Sequence, residues 1–156
     1  MFHELRELYQ EVILDHGRNP RNLRHPDNAN CVALGNNPLC GDVLTVYLSV
    51  DENEVIQDAA FLGKGCAISM ASASMMTEIL KGKTAREAER IFGSFHRMCT
   101  EDGFDHAAED GADPEALERL EVLSGVREFP MRVKCATLAW HTMNAAMSGA
   151  DEVTTE

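Results

Sequence analysis

Gly63-Lys64-Gly65-Cys66-Ala67-Ile68-Ser69-Met70-Ala71-Ser72-Ala73-Ser74 reads as a strand-to-helix junction. Two glycines stop an apolar strand, and a run of small residues begins a helix directly after a cysteine. Ile68, Ala71, Met75 and Ile79 share one face of that helix, which spans 67–81 before Gly82 stops it. On the N-terminal side, Glu54 to Leu62 forms a strand and Asp51-Glu52-Asn53 is a hairpin turn. Val43 to Val50 alternates Leu44, Val46 and Leu48 against Thr45, Tyr47 and Ser49, the period of a half-buried strand. Asn30 to Gly35 supplies a shorter one. Three strands with hairpin-length connections predict a small antiparallel sheet, and the flanking helical segments make the fold class α+β.

The outer segments are helical. Leu5, Leu8, Tyr9, Val12 and Ile13 give an amphipathic helix over 3–16, followed by Asn-Pro and His-Pro turns to Ala29. Thr84-Ala85-Arg86-Glu87 has the form of a capping box, starting a helix that buries Ala88, Ile91, Phe92 and Phe95 and reaches about Cys99. The acidic stretch from Glu101 to Gly111 reads as an exposed loop. Asp113-Pro114 caps a short helix carrying Leu117, Leu120 and Leu123, which Gly125 ends. The last helix runs from Pro130 to about Ser148, and Asp151 to Glu156 reads as a frayed acidic tail. Residues 1–150 are taken as one domain, with no linker or repeat.

Composition narrows the function. A formal charge of −12 in 156 residues repels nucleic acid and anionic membrane surfaces, and a basic protein surface is the better electrostatic match. No apolar run is long enough to span a membrane and Met1-Phe2-His3-Glu4-Leu5-Arg6 lacks a signal-peptide core, so a cytoplasmic location is expected. Five widely spaced cysteines suit metal binding or catalysis better than a disulfide framework.

Three of those cysteines stand at turns. Asn37-Pro38-Leu39-Cys40-Gly41-Asp42 offers a thiol and a carboxylate two residues apart, on the same side of an extended strand entrance; a plain turn before a strand accounts equally for the motif. Cys66 sits at a helix N-terminus, where free N–H groups favour a thiolate; a packed structural cysteine is the alternative. Cys135 opens the last helix one turn after Arg132, which either supplies positive charge to a thiolate or persulfide there, orients Asp42, or is a solvated arginine. Cys40, Asp42, Cys66 and Cys135 together make a plausible tetrahedral site for Zn²⁺ or an iron–sulfur cluster. Cys99 and Cys31 fall among apolar residues and read as packing, and no histidine pair has metal-ligand spacing.

The motifs Asn37-Pro38-x-Cys40-Gly41-Asp42, Gly63-x-Gly65-Cys66-x-Ile68-Ser69-x-Ala71-Ser72 and Arg132-x-Lys134-Cys135-Ala136-x-Leu138-x-Trp140 resemble the SufU branch of the IscU/NifU N-terminal family, over nearly the whole chain. The resemblance implies a three-stranded sheet backed by helices and a metal site on Cys40, Asp42, Cys66 and Cys135. It also implies a role in iron–sulfur cluster biogenesis beside a pyridoxal-phosphate cysteine desulfurase. IscU-type members carry histidine where this chain has Lys134, and the stretch from about Thr100 to Gly125 corresponds to an insertion of the SufU branch. In that branch the resemblance implies a zinc-dependent sulfurtransferase. Cys40 accepts sulfane sulfur from a SufS-type desulfurase after a partner residue displaces it from Zn²⁺, and the sulfur passes to a Suf cluster scaffold; Arg132 stays, on its spacing from Cys135 alone, the second candidate catalytic residue. The alternative is a scaffold assembling a [2Fe–2S] cluster on the same residues. Lys134, whose ammonium has no lone pair to offer a metal, is expected to face solvent.

Overall fold

The computed structural model describes residues 2–101, 104 and 113–154, with side chains from residue 9 onward. Nearly all of the acidic loop expected after Glu101 lies outside the described residues. The elements run α1 (Phe2–Arg18), β1 (Cys31–Asn37), β2 (Asp42–Val50), β3 (Ile56–Lys64), α2 (Ala67–Leu80), α3 (Ala85–Thr100), α4 (Pro114–Leu120), a 3₁₀ helix (Glu121–Glu128), α5 (Pro130–Ser148) and β4 (Glu152–Thr154). Among these no helix is long and apolar enough to cross a membrane.

The sheet has four strands in the order β3-β2-β1-β4. The fourth corrects the expected frayed tail. β4 pairs parallel with β1, Gly35 opposite Val153, and the Leu34 N–H donates to the Asp151 carbonyl at 2.8 Å. The antiparallel pairs follow the expected alternation, Val46 opposite Ala33 on one side and Phe61 on the other. Leu44, Val46, Leu48, Ala33, Ala59 and Phe61 are buried on the inner face, against α2 and α5. Two further corrections concern glycine. β3 continues through Gly63 to Lys64, and the turn after α4 does not stop at Gly125 but runs on as 3₁₀ helix to Glu128, burying Leu123 and Val126.

Helix termini follow local chemistry. The Glu87 N–H donates to Thr84 Oγ1 and the Thr84 N–H to Glu87 Oε1, each at 3.1 Å, a complete capping box. Pro130 opens α5 and Gly149, at φ +84°, closes it in the left-handed conformation that glycine adopts without steric cost. α5 lies close over β1 because Gly35 has no side chain; a Cβ there would collide with Thr142 Oγ1. Ser72 Oγ donates to the Ala136 carbonyl at 2.5 Å, pinning α2 to α5 one residue beyond Cys135.

Candidate metal centre

The alternation that buries Leu44, Val46 and Leu48 carries on to the start of β2 and buries Asp42, which is fully enclosed. Its hairpin partner Asn37 is equally buried at the end of β1. The sheet thus delivers a carboxylate and a carboxamide inward at the edge of the core, where the first turns of α2 and α5 meet. Cys40 is not on an extended strand entrance as the sequence suggested. It stands in the tight β1–β2 turn, its N–H bonded to the Asn37 carbonyl at 3.3 Å, with Gly41 at φ +72° reversing the chain.

Cys40, Asp42 and Cys135 come together, one ligand atom from each lying within 4.8 Å of the others. The Cys135 thiol reaches Cys40 Sγ at 3.3 Å, and all five cysteines are free thiols. Cys66 stands beside this trio as the N-cap of α2, its Sγ accepting the Ser69 N–H at 3.4 Å. The Asp42 carboxylate is held from both sides. Oδ1 accepts the Cys66 N–H at 2.9 Å and Oδ2 accepts Asn37 Nδ2–H at 3.2 Å. Gly65 makes the first of these possible, since a Cβ there would lie 2.5 Å from Asp42 Oδ1.

Asn37 escaped the sequence reading as more than turn chemistry. Its Nδ2 faces both Asp42 and, at 3.6 Å, Cys135 Sγ, while its Oδ1 is buried without a partner among the described residues. The available signal was register: Asn37 and Asp42 are the last facing pair before a four-residue turn.

Electrostatically the site is a set of donors crowded out of water. Burial pushes the Cys135 thiol far above its ordinary range, and the neighbouring Cys40, Asp42 and Cys66 push it further. A divalent cation held here would offset that shift by favouring the thiolate. Three thiols and a carboxylate are soft, mixed S/O donors, so the residues present fit Zn²⁺ or an iron–sulfur cluster. Arg132, exposed on the first turn of α5, is held further above its usual range by hydrogen bonding to Cys135 and by the charges of Cys66, Cys135 and Cys40. Lys134, next to Cys135 in sequence, does not face solvent fully as expected but is half-buried, because it lines a second cavity on another side of α5.

The site opens onto a groove of about 860 Å³ between α1, the 3₁₀ helix and the starts of α2 and α5. Tyr9, Ile13, Ile68, Val126 and Phe129 line it, with Cys66 and Arg132 at one end. Cys99 is buried away from the site, where desolvation pushes its thiol up to about 12, the packing role read for it. Cys31 packs at the margin of the core.

Residues 8–136 match the NifU-like N-terminal domain. The zinc-dependent sulfurtransferase SufU of Bacillus subtilis (strain 168) is 41% identical over 141 residues, 90% of each chain. The iron–sulfur cluster assembly scaffold protein IscU of Streptococcus pyogenes serotype M1 is 40% identical over 144 residues, 92% of this chain and 85% of the other. Among solved structures, a SufU from Fervidobacterium islandicum AW-1, described as a cluster assembly scaffold protein for the SUF system, superposes with a TM-score of 0.75 at 33% identity. It covers 90% of this chain and 97% of its own. The N-terminal part of a NifU-like protein from Brucella abortus gives a TM-score of 0.78 at 25% identity, covering 91% and 93%. The chain belongs to the NifU-like N-terminal domain family of iron–sulfur cluster assembly proteins.

Proposed function

We propose that the chain is a zinc-dependent sulfurtransferase of iron–sulfur cluster biogenesis, taking sulfur from a cysteine desulfurase of the SufS type on Cys40. The observation that carries the reading is the unequal placement of the two touching thiols. Cys135 is buried on a rigid helix, whereas Cys40, 3.3 Å away, is part-exposed in a turn beside the exposed Leu39. The first is placed to stay and the second to be reached.

Cys40, Asp42, Cys66 and Cys135 would hold the metal, with Cys66 joining the trio from the N-cap of α2. Zn²⁺, when bound, supplies the positive charge that keeps these thiols deprotonated at neutral pH. The Cys40 thiolate attacks the outer sulfur of the desulfurase persulfide. The old S–S bond breaks, the desulfurase cysteine leaves as a thiolate with the electron pair, and a new S–S bond makes Cys40 a persulfide. The exchange is redox-neutral. Arg132 places a permanent cation beside the sulfur atoms, where it balances the anionic terminal sulfur. Asn37 keeps Asp42 in place while Cys40 is engaged elsewhere. The exposed Leu39, Phe129 and Met131, each more than half accessible, give a partner apolar purchase around the site, and the acidic chain suits a basic one. A cluster scaffold of the Suf type then takes the sulfur on.

The test is desulfurase turnover with and without the zinc-loaded protein. Wild type should raise turnover, and Cys40→Ala should remove at least nine-tenths of the stimulation. A Cys40→Ala variant as effective as wild type would sink the assignment. The names of the IscU relatives favour a second reading, a scaffold holding a [2Fe–2S] cluster on the same residues. A brown, iron-containing protein from oxygen-free purification, with no effect on the desulfurase, would select it.

A further inference from the structure

On a different face of α5 from Cys135 lies a second cavity of about 480 Å³. It is an open cavity lined by α3, the end of the 3₁₀ helix, α5 and Thr154 of β4. Its charged and titratable lining is unusual for this chain. The sequence has 26 acidic residues against 14 Lys and Arg, yet Lys134, His96, His141 and Arg127, which borders the larger groove as well, line this cavity and, among the described residues, no carboxylate does. Neither Arg127 nor Lys134 is ion-paired among the described residues, and the Nε of Arg127 is buried with no acceptor there. A guanidinium N–H withdrawn from water without a partner is costly, and an oxygen anion is the acceptor that such a group binds best.

Ring contacts orient the two imidazoles, His141 partly buried and His96 exposed at the cavity rim. Phe92 meets the His141 ring edge-on at 4.9 Å and the His96 ring at 6.3 Å, and Phe92 itself stacks on the buried Trp140. The centroids of the His96 and His141 rings are 6.0 Å apart, a separation at which an oxyanion lying to one side of the pair can take an N–H from each. Cys99, in the cavity wall, adds no competing negative charge, since burial keeps its thiol protonated.

We infer that this cavity is a binding site for a small phosphate-class oxyanion, held by the Arg127 fork, the Lys134 ammonium and the ring N–H groups of His96 and His141. Arginine matches the paired oxygens of such an ion and lysine adds a point charge, so the donors converge from three elements on one tetrahedral group. Lys134 and Cys135 are consecutive on α5 and so project about 100° apart, which puts the anion on a different face of the helix from the metal ligand. The inference does not depend on sulfur transfer.

The test is an NMR titration of the full, zinc-loaded protein with inorganic phosphate, run against sodium chloride at matched ionic strength, with zinc content measured at the end point. Saturable shifts of the His96 and His141 ring signals and the Lys134 amide, at unchanged zinc content, are expected. Arg127→Gln with Lys134→Gln should weaken the apparent Kd at least tenfold. Lys81→Gln with Arg86→Gln, the same loss of charge elsewhere, should change it less than twofold. Shifts no larger than those from chloride, shifts centred away from these rings, or equal weakening by both double variants would each overturn the site. Should the first pair fail to fold, Lys134→Gln alone decides: a weakening of threefold or more supports the site and an unchanged Kd refutes it.

Discussion

Gly65→Ala is the sharpest probe of how Asp42 is held. The backbone at Gly65 is not in the left-handed region, so alanine meets no conformational strain there. On unfolded-state entropy alone it should stabilise by about 0.4–1 kcal/mol. The new Cβ, however, would sit 2.5 Å from Asp42 Oδ1, and restoring an ordinary contact of 3.4 Å moves the carboxylate by about 0.9 Å. Asp42 is fully buried and pinned by Asn37 on its other oxygen, so it has no free space to enter. Such a shift stretches the 2.9 Å bond from the Cys66 N–H beyond useful length. Overpacking costs about 1–3 kcal/mol and a lost hydrogen bond to a charged acceptor about 1.5–3 kcal/mol. Because one displacement causes both, a net loss of about 2–3 kcal/mol is expected after the entropic gain. Urea unfolding of the zinc-free protein measures it, and chelator competition should show zinc affinity falling by roughly 10–100-fold as a ligand is misplaced. A variant within about 0.5 kcal/mol of wild type, with unaltered zinc affinity, would refute the clamp on Asp42.

Other outcomes follow from the same structure. Gly93→Ala, on an exposed face of α3 with nothing within 4 Å of the new Cβ, should stabilise by about 0.5–1 kcal/mol in the same urea assay. Removing zinc with a strong chelator should lower the melting temperature clearly, since free zinc at 100 times its Kd contributes about 2.7 kcal/mol. Lys134→Ala should leave bound zinc at the wild-type level by elemental analysis, whereas Cys135→Ala and Asp42→Ala should lower it. His16 is buried with Nδ1 2.8 Å from Ser74 Oγ, and burial first, then Arg21, hold its pKa below the ordinary value, with Glu78 and Asp15 opposing. Its folded-state pKa being depressed, the unfolded chain binds the proton more readily. Stability is therefore complete above the unfolded value of about 6.5 and falls as pH drops through the window below it. His141, lowered by burial and by His96, adds to the same slope, so His16→Gln should flatten the pH dependence of the urea midpoint without abolishing it.

What could be read in the sequence was local or periodic. The Thr84–Glu87 box, Pro130 and Gly149 mark helix ends through contacts within a few residues, and the alternation of β2 names its buried side chains one by one. Asp42 was recognisable because it sits beside a cysteine, while Asn37, equally buried, was passed over because asparagine before proline is ordinary turn chemistry. β4 was missed because its partner β1 lies more than a hundred residues earlier and three residues carry no period. The 3₁₀ helix was cut short at Gly125 because glycine is a stop signal; there the packing of Leu123 and Val126 outweighs that propensity. The second cavity could not be read at all, since His96, Arg127, Lys134 and His141 share no motif and meet only through packing.

The contact between Cys40 and Cys135 spans 95 residues of chain, while the bond from Cys66 to Asp42 spans 24. During synthesis the donors therefore arrive in two instalments. Cys40, Asp42 and Cys66 are available early, and Cys135 only after α3, α4 and the 3₁₀ helix have been made. Closing so long a loop is an entropic cost that must be met before the contact rewards it. On the four-residue assignment proposed above, an ion meeting the nascent chain would find three donors, and the fourth would join only when α5 packs. The Cys40–Cys135 contact is thus a latch that closes on a nearly finished molecule.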